Sequence, residues 1–231
     1  DYEYLAPAQV PRYDVYLSFT GGPTLERLET EFGAARAYPL YCSVDPERYR
    51  PLDDPPRYDL GYLGTHSDDR RYGLERLLLE PARRWPGGRF LVAGAQYPDT
   101  IEWPVNVSRR EHVPPSEHPA WYGAQRFTLN LTRARMVEAG WSPSVRLFEA
   151  AACGVPVLSD WWRGLDHFFE PGEEIFVAKT TPEALQILRG TTESERRSVA
   201  DAARHRVLEH HTGDRRAAEL ERYVLEPASA R

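Results

Sequence analysis

The stretch from Asn130 to Asp160, NLTRARMVEAGWSPSVRLFEAAACGVPVLSD, decides how the rest of the chain is read. Asn130 and Thr132 close an apolar, strand-like run, and Arg133 follows at once. Ligands of open α/β sheets bind at the carboxyl ends of strands near the switch in strand order, so these polar residues stand where a ligand would be met. Gly140-Trp141-Ser142-Pro143 then forms a loop that delivers Ser144 to a helix, with Ser142 or Ser144 as N-cap and Pro143 suited to the first turn. A helix start offers unpaired N–H groups and about half a positive charge, a ready site for a diphosphate. Ser142, Ser144 and Val145 are therefore candidate binding residues. The helix is rich in alanine (Ala150, Ala151, Ala152), which lets it lie close to a sheet, and Gly154 with Pro156 ends it.

Glu149 is the odd residue in this mostly apolar helix. A buried carboxylate without partners costs several kcal/mol, so it needs hydrogen-bond donors, and a ribose diol offers two hydroxyls that fit one carboxylate. The alternative is a surface pair with Arg146 at i, i+3, typically worth about 0.2 to 0.5 kcal/mol. The residues alone leave both open.

Outward from this segment, short β-branched or apolar runs alternate with amphipathic stretches from residue 58 onward, the pattern of a parallel sheet covered by helices. Strands are expected at 58–63, 89–93, 105–109, 127–131, 155–159 and 174–177. Helices are expected at 70–84, 121–125, 144–153, 182–189, 194–209 and 215–225. The first fifty residues read as a separate βαβ piece, with strands at 14–19 and 36–42 around a helix at 24–32. Pro46, Pro51, Pro55 and Pro56 mark 44–57 as a linker. One such unit leaves its apolar faces open, so it is expected to belong to a larger N-terminal domain.

The composition sets limits on function. With 41% hydrophobic and 12% aromatic residues the chain has the material for a core, and no run approaches the roughly 18 apolar residues of a membrane span. A net charge of −6 argues against a dedicated nucleic-acid binder. Cys42 and Cys153 stand far apart in apolar stretches, which suits free thiols in a reducing, cytoplasmic compartment.

The run SVRLFEAAACGVPVLSD, with the Gly164-Leu165 of WWRGLDHFFEPGEE, resembles the nucleotide-sugar-binding half of group 1 GT-B glycosyltransferases, most of all the CgeB-like, spore-maturation branch. Upstream, YDVYLSF and GAARAYPLYCSVDPERYRPL resemble the last βαβ unit of the acceptor domain and the interdomain linker. The resemblance implies an α/β, doubly wound Rossmann-like parallel sheet. Residues 1–57 would be a remnant of the acceptor domain plus linker, and 58–231 the donor domain with a C-terminal crossing helix. It implies sugar transfer from a nucleoside-diphosphate donor to an acceptor hydroxyl, with Glu149 binding the ribose and Ser144 and Val145 holding the diphosphate. Trp141 to Pro143 would face the donor sugar, and the loop at Val113 would meet the base. Many group 1 retaining enzymes carry a second glutamate eight positions before the ribose glutamate; that position is Trp141 here.

Other positions complete the expectation. Gly64 and Thr65 end the first strand of the donor domain, as a ligand loop or a plain turn. The spacing there lacks GxGxxG, which disfavours a nicotinamide-dependent dehydrogenase. Arg70 and Arg71 open the next helix, either reaching back to a diphosphate or solvated beside Asp68 and Asp69. Arg133 and Glu149 are the residues expected to serve the reaction, the first electrostatically and the second by positioning. His210-His211 lacks further ligands at usable spacing and Asp-x-Asp is absent, so neither a metal nor another cofactor is expected beyond the donor substrate. The expected partners are a nucleotide sugar, an acceptor of unread identity, and an acceptor domain or partner chain that would supply any general base. A nucleotide-sugar epimerase and a non-catalytic nucleotide-sugar-binding module remain as alternatives.

Overall fold

The computed structural model describes residues 7–226. The chain runs through β1 (Tyr16–Ser18), α1 (Pro23–Thr30) and β2 (Ala37–Pro39), and then β3 (Tyr58–Leu63). Next, α2 (Arg71–Leu74) passes through a π-helical turn, Glu75–Leu79, into α3 (Glu80–Arg84). There follow β4 (Phe90–Ala93), β5 (Val107–Arg110), α4 (His118–Gly123), β6 (Gln125–Asn130), α5 (Ala134–Ala139) and α6 (Val145–Ala152). The last elements are β7 (Val157–Ser159), α7 (Leu165–Phe168), β8 (Phe176–Val177), α8 (Thr181–Gly190), α9 (Glu193–His210) and α10 (Gly213–Leu225).

The six strands β3 to β8 form one parallel sheet in the order β5-β4-β3-β6-β7-β8. The chain winds outward from β3 to β5, returns to β6 at the centre, and winds outward the other way. This is the expected doubly wound sheet, and its order reverses between β3 and β6, where Leu60 faces Phe127 and Gly61 faces Thr128. Parallel strands carry helices on both faces, which is why Phe90-Leu91-Val92-Ala93 is apolar throughout and wholly buried. One face packs Leu74, Leu77 and Leu78 over Leu60 and Phe127. The other packs Leu147, Phe148 and Ala150 to Ala152 with Trp121 and Tyr122.

The N-terminal piece pairs β1 with β2 in parallel and has a small core of Val10, Leu28, Ala34 and Ala37. Two ties hold it to the larger sheet. On one side, α10 crosses back, stacking Tyr223 on Tyr38 at 4.3 Å, while Thr212 bridges to Val44. On the other, Gly21 N–H donates to Trp141 O at 2.9 Å, and the Thr20 and Ser142 hydroxyls share a bond of 3.0 Å.

Several expected elements need correction. The helix expected at 70–84 is interrupted by the π turn just before Pro81, whose ring and missing N–H break the α ladder. The one expected at 121–125 spans His118–Gly123, and Gln125 already belongs to β6. Two short helices, α5 and α7, went unforeseen; at 6 and 4 residues they are too short for an apolar period to show. Ser142 is not an N-cap, because its hydroxyl is bonded to Thr20. Ser144 occupies the N-cap position in extended conformation, but its side chain makes no capping bond.

Candidate functional site

The site lies where the sheet order reverses, at the carboxyl ends of β3 and β6. Arg146, in the first turn of α6, is only 9% exposed and joins the two strand ends. Its Nε donates to Leu63 O at 2.8 Å and its guanidinium to Asn130 Oδ1 at 3.0 Å, with the guanidinium carbon 5.1 Å from the centre of the Tyr62 ring. Asn130 is fully buried and spends its amide N–H groups on Thr132 Oγ1 and Ser159 Oγ. Thr132 in turn donates to Asp160 through N–H, at 3.1 Å, and through Oγ1, at 2.9 Å. Burial raises the Asp160 carboxyl above the ordinary aspartate range in spite of these donors. The ends of β6 and β7 are thereby locked together beneath the crevice.

Above them stands the start of α6. The N–H groups of Val145 and Arg146 have no acceptor among the described residues, and the Ser144 side chain does not cap them. Ahead of them Gly140 and Trp141 both have positive φ, +67° and +42°, which turns the loop sharply. The Trp141 indole lies against Gly22 and Gly164; a Cβ on either glycine would fall within 2.6 Å of a ring atom, and both have positive φ. The Arg163 guanidinium covers the ring at 4.8 Å.

Glu149 turns inward, 9% exposed, on the side of α6 facing α4. Tyr122 Oη donates to Glu149 Oε2 at 2.7 Å, His118 Nδ1 lies 3.8 Å from the same oxygen, and the Tyr49 hydroxyl is 3.4 Å from His118 Nδ1. Burial, followed by the nearby carboxylate, pushes the Tyr122 hydroxyl well above its ordinary value. The same two causes raise Tyr49. The alternative of a surface Arg146–Glu149 pair is overturned, since both side chains are buried and take separate partners.

The chain matches the glycosyl transferase-like family over residues 70–222, about two thirds of its length. It belongs to that family. Sequence comparison with curated proteins gives no match. Among solved structures it is similar to a sucrose-phosphate synthase from Thermosynechococcus elongatus, with a TM-score of 0.70 and 16% identity over 94% of this chain and 59% of that one. Anabaena HepE in complex with UDP and glucose superposes with a TM-score of 0.72 and 12% identity, over 98% of this chain and 69% of that one. The pneumococcal O-GlcNAc transferase GtfA in complex with UDP and GlcNAc gives 0.69 and 13%, over 98% and 48%. These likenesses establish the GT-B, Rossmann-like fold, and the chain spans a little over half of the synthase.

The other candidate residues of this glycosyl transferase-like chain fall at varied places. Gly64 is in the crevice, where its carbonyl accepts from Tyr97 Oη at 2.8 Å and a Cβ would meet the Tyr62 hydroxyl and the Arg146 guanidinium. Thr65 is exposed beside it. Arg70 bonds Ser67 Oγ at 2.8 Å and the Thr65 carbonyl, bracing the loop that follows β3. Arg133 is exposed at the N-terminus of α5, beside Asp69, and Val113 packs in the core near Trp121 and Tyr122. Sequence reasoning missed Tyr49, His118, Tyr122 and the bridging role of Arg146; the one local signal was an arginine in an apolar helix.

His211 is buried, stacks on Phe148 at 4.4 Å and takes a bond of 2.6 Å from Arg216 at Nδ1. Among the described residues no group of His, Cys, Asp and Glu gathers as metal ligands would, and no helix is long and apolar enough to cross a membrane. A surface recess of about 760 Å³ between α8 and α9 shares no residue with the crevice.

Proposed function

We propose that the chain is the donor-binding part of a metal-independent, cytoplasmic GT-B glycosyltransferase of the CgeB-like branch, moving a sugar from a nucleoside-diphosphate donor to an acceptor hydroxyl. One observation carries the reading: uncapped amides at the start of α6 open at the strand-order switch, with a buried carboxylate further along the same helix. From Val145 to Glu149 the helix rises about 6 Å, a span that suits a diphosphate followed by its ribose. That HepE is recorded with UDP and glucose, and GtfA with UDP and GlcNAc, supports a nucleotide-sugar donor.

In this reading the Val145 and Arg146 amides, the helix dipole and the Arg133 and Arg146 guanidiniums stabilise negative charge as it gathers on the departing diphosphate. They take the place that a metal ion fills in other transferases. Glu149 accepts from the ribose hydroxyls and orients the donor, and the backbone near Val113 meets the base. Trp141, where many relatives by resemblance have a glutamate, shapes the sugar pocket through its indole. The acceptor, and a general base if the reaction inverts, are met by an acceptor domain of which residues 1–57 form part.

Calorimetric titration with UDP, GDP, ADP and dTDP tests the proposal on wild type and Glu149→Ala. One nucleotide is expected to bind preferentially, and the variant to bind it about 10- to 100-fold more weakly, as loss of hydrogen bonds to a charged group implies. Equal affinity in the two proteins would overturn the role of Glu149.

A further inference from the structure

A second recess, of about 540 Å³, opens between α7, α9 and α10 and shares no lining residue with the crevice at the α6 start. The chain as a whole is acidic, yet this recess is lined by Arg206, Arg215, Arg216 and Arg222 against a single carboxylate, Glu219. That carboxylate is already engaged by Arg216 at 2.6 Å, and Arg206 is held by Glu174 at 2.8 Å. Arg215 and Arg222 have no carboxylate within ion-pair distance among the described residues. They are seven residues apart, so they stand on one face of α10 about 10 Å from each other along its axis. His211 accepts from Arg216 at Nδ1, which leaves Nε2 as its N–H donor.

We propose that this recess binds a small soluble phosphoryl anion, of the phosphate or diphosphate class, at a site separate from the donor crevice. Two unneutralised guanidiniums over a floor of donors match the charge and lone pairs of such an anion, and the volume is that of a small-molecule site. His211 in the lining of the recess stacks on Phe148 of α6 at 4.4 Å. The floor is also a joint of the fold: Arg216 donates to Cys42 O at 3.5 Å, and Thr212 bridges to Val44 where the chain passes from the N-terminal piece to the larger sheet. An occupant would therefore stiffen the connection between the two.

Pyrophosphate is the probe, titrated calorimetrically into the full chain with whichever of UDP, GDP, ADP and dTDP binds preferentially held at saturation, so that the α6 start is already filled. Wild type is expected to bind in the millimolar range or tighter, and Arg215→Ser/Arg222→Ser about tenfold more weakly, with an unchanged far-UV circular dichroism spectrum and unchanged affinity for that nucleotide. Both arginines are exposed, so the variant is expected to fold. Should none of UDP, GDP, ADP and dTDP bind, the reading of the α6 site falls, and the same pair of proteins titrated with pyrophosphate alone still reports on the recess. Equal binding by both proteins, or none by wild type, overturns the proposal. So does arginine-dependent pelleting with phosphatidylglycerol vesicles in the absence of pyrophosphate binding, which would make a lipid headgroup the occupant.

Discussion

Replacing Arg146 by methionine probes the residue that spans the switch point. The native guanidinium bonds Leu63 O at 2.8 Å and Asn130 Oδ1 at 3.0 Å, at 9% exposure. Methionine fills much of the same length but donates nothing, which leaves the buried Asn130 oxygen without a partner at a cost of about 1 to 3 kcal/mol, with a similar or smaller cost at Leu63. Losing the cation over Tyr62 removes about 0.5 to 2 kcal/mol more. Relief from burying a guanidinium offsets part of this. The net expectation is a loss of about 2 to 5 kcal/mol, a large part of the roughly 5 to 15 kcal/mol that holds a domain folded. Urea denaturation should show a lower midpoint with an unchanged slope. Arg146→Lys, which keeps the charge and one donor, should fall between, and Arg197→Met, at a site 71% exposed, should stay within about 0.5 kcal/mol of wild type. In protein that remains folded, UDP binding should weaken more for methionine than for lysine. An Arg146→Met protein as stable as the Arg197→Met control would refute the bridging argument.

Gly94→Ala should also destabilise. Its φ of +145° excludes most side chains, and a Cβ would sit 2.0 Å from Gly64 O, in backbone that cannot move without disturbing the crevice. The expected loss is about 2 to 4 kcal/mol by chemical denaturation, from strain and overpacking together, and a loss under about 1 kcal/mol would contradict the geometry. Burial and the neighbouring Arg216 hold the His211 pKa down to about 3, against about 6.5 when unfolded. Below pH 6.5 the unfolded chain therefore binds a proton that the folded one refuses, and stability falls as pH drops from about 6.5 towards 3, by up to about 1.4 kcal/mol per unit. His211→Asn should flatten that slope by one proton in unfolding measured between pH 6 and 4; identical slopes in the two proteins would count against the assignment.

Much of the architecture was legible in local pattern. Runs such as Phe90-Leu91-Val92-Ala93 announce strands buried on both faces, the alternation of strands with amphipathic segments announces a parallel sheet covered by helices, and the family resemblance adds its double winding. The run SVRLFEAAACG likewise marked a helix start in a loop as the place to look. The short helices α5 and α7 were not legible, because single turns need tertiary support and leave no period. Nor was the direction taken by each charged side chain. Arg146 and Glu149 sit three apart on one helix, a spacing that suggests mutual pairing, yet Arg146 reaches the ends of β3 and β6 and Glu149 reaches Tyr122.

What the order of residues determines by itself is which segments bury apolar surface and where a helix begins, since both follow from periodicity and from residues a few positions apart. The partners of the polar groups were decided only by the folded chain. Ser142 meets Thr20, Trp141 lies against Gly22 and Gly164, and Arg70 bonds its own loop at Thr65 and Ser67. Such pairings join residues up to 122 positions apart. A buried polar group must find a partner somewhere, but which partner depends on how the elements pack, and no local spacing encodes that.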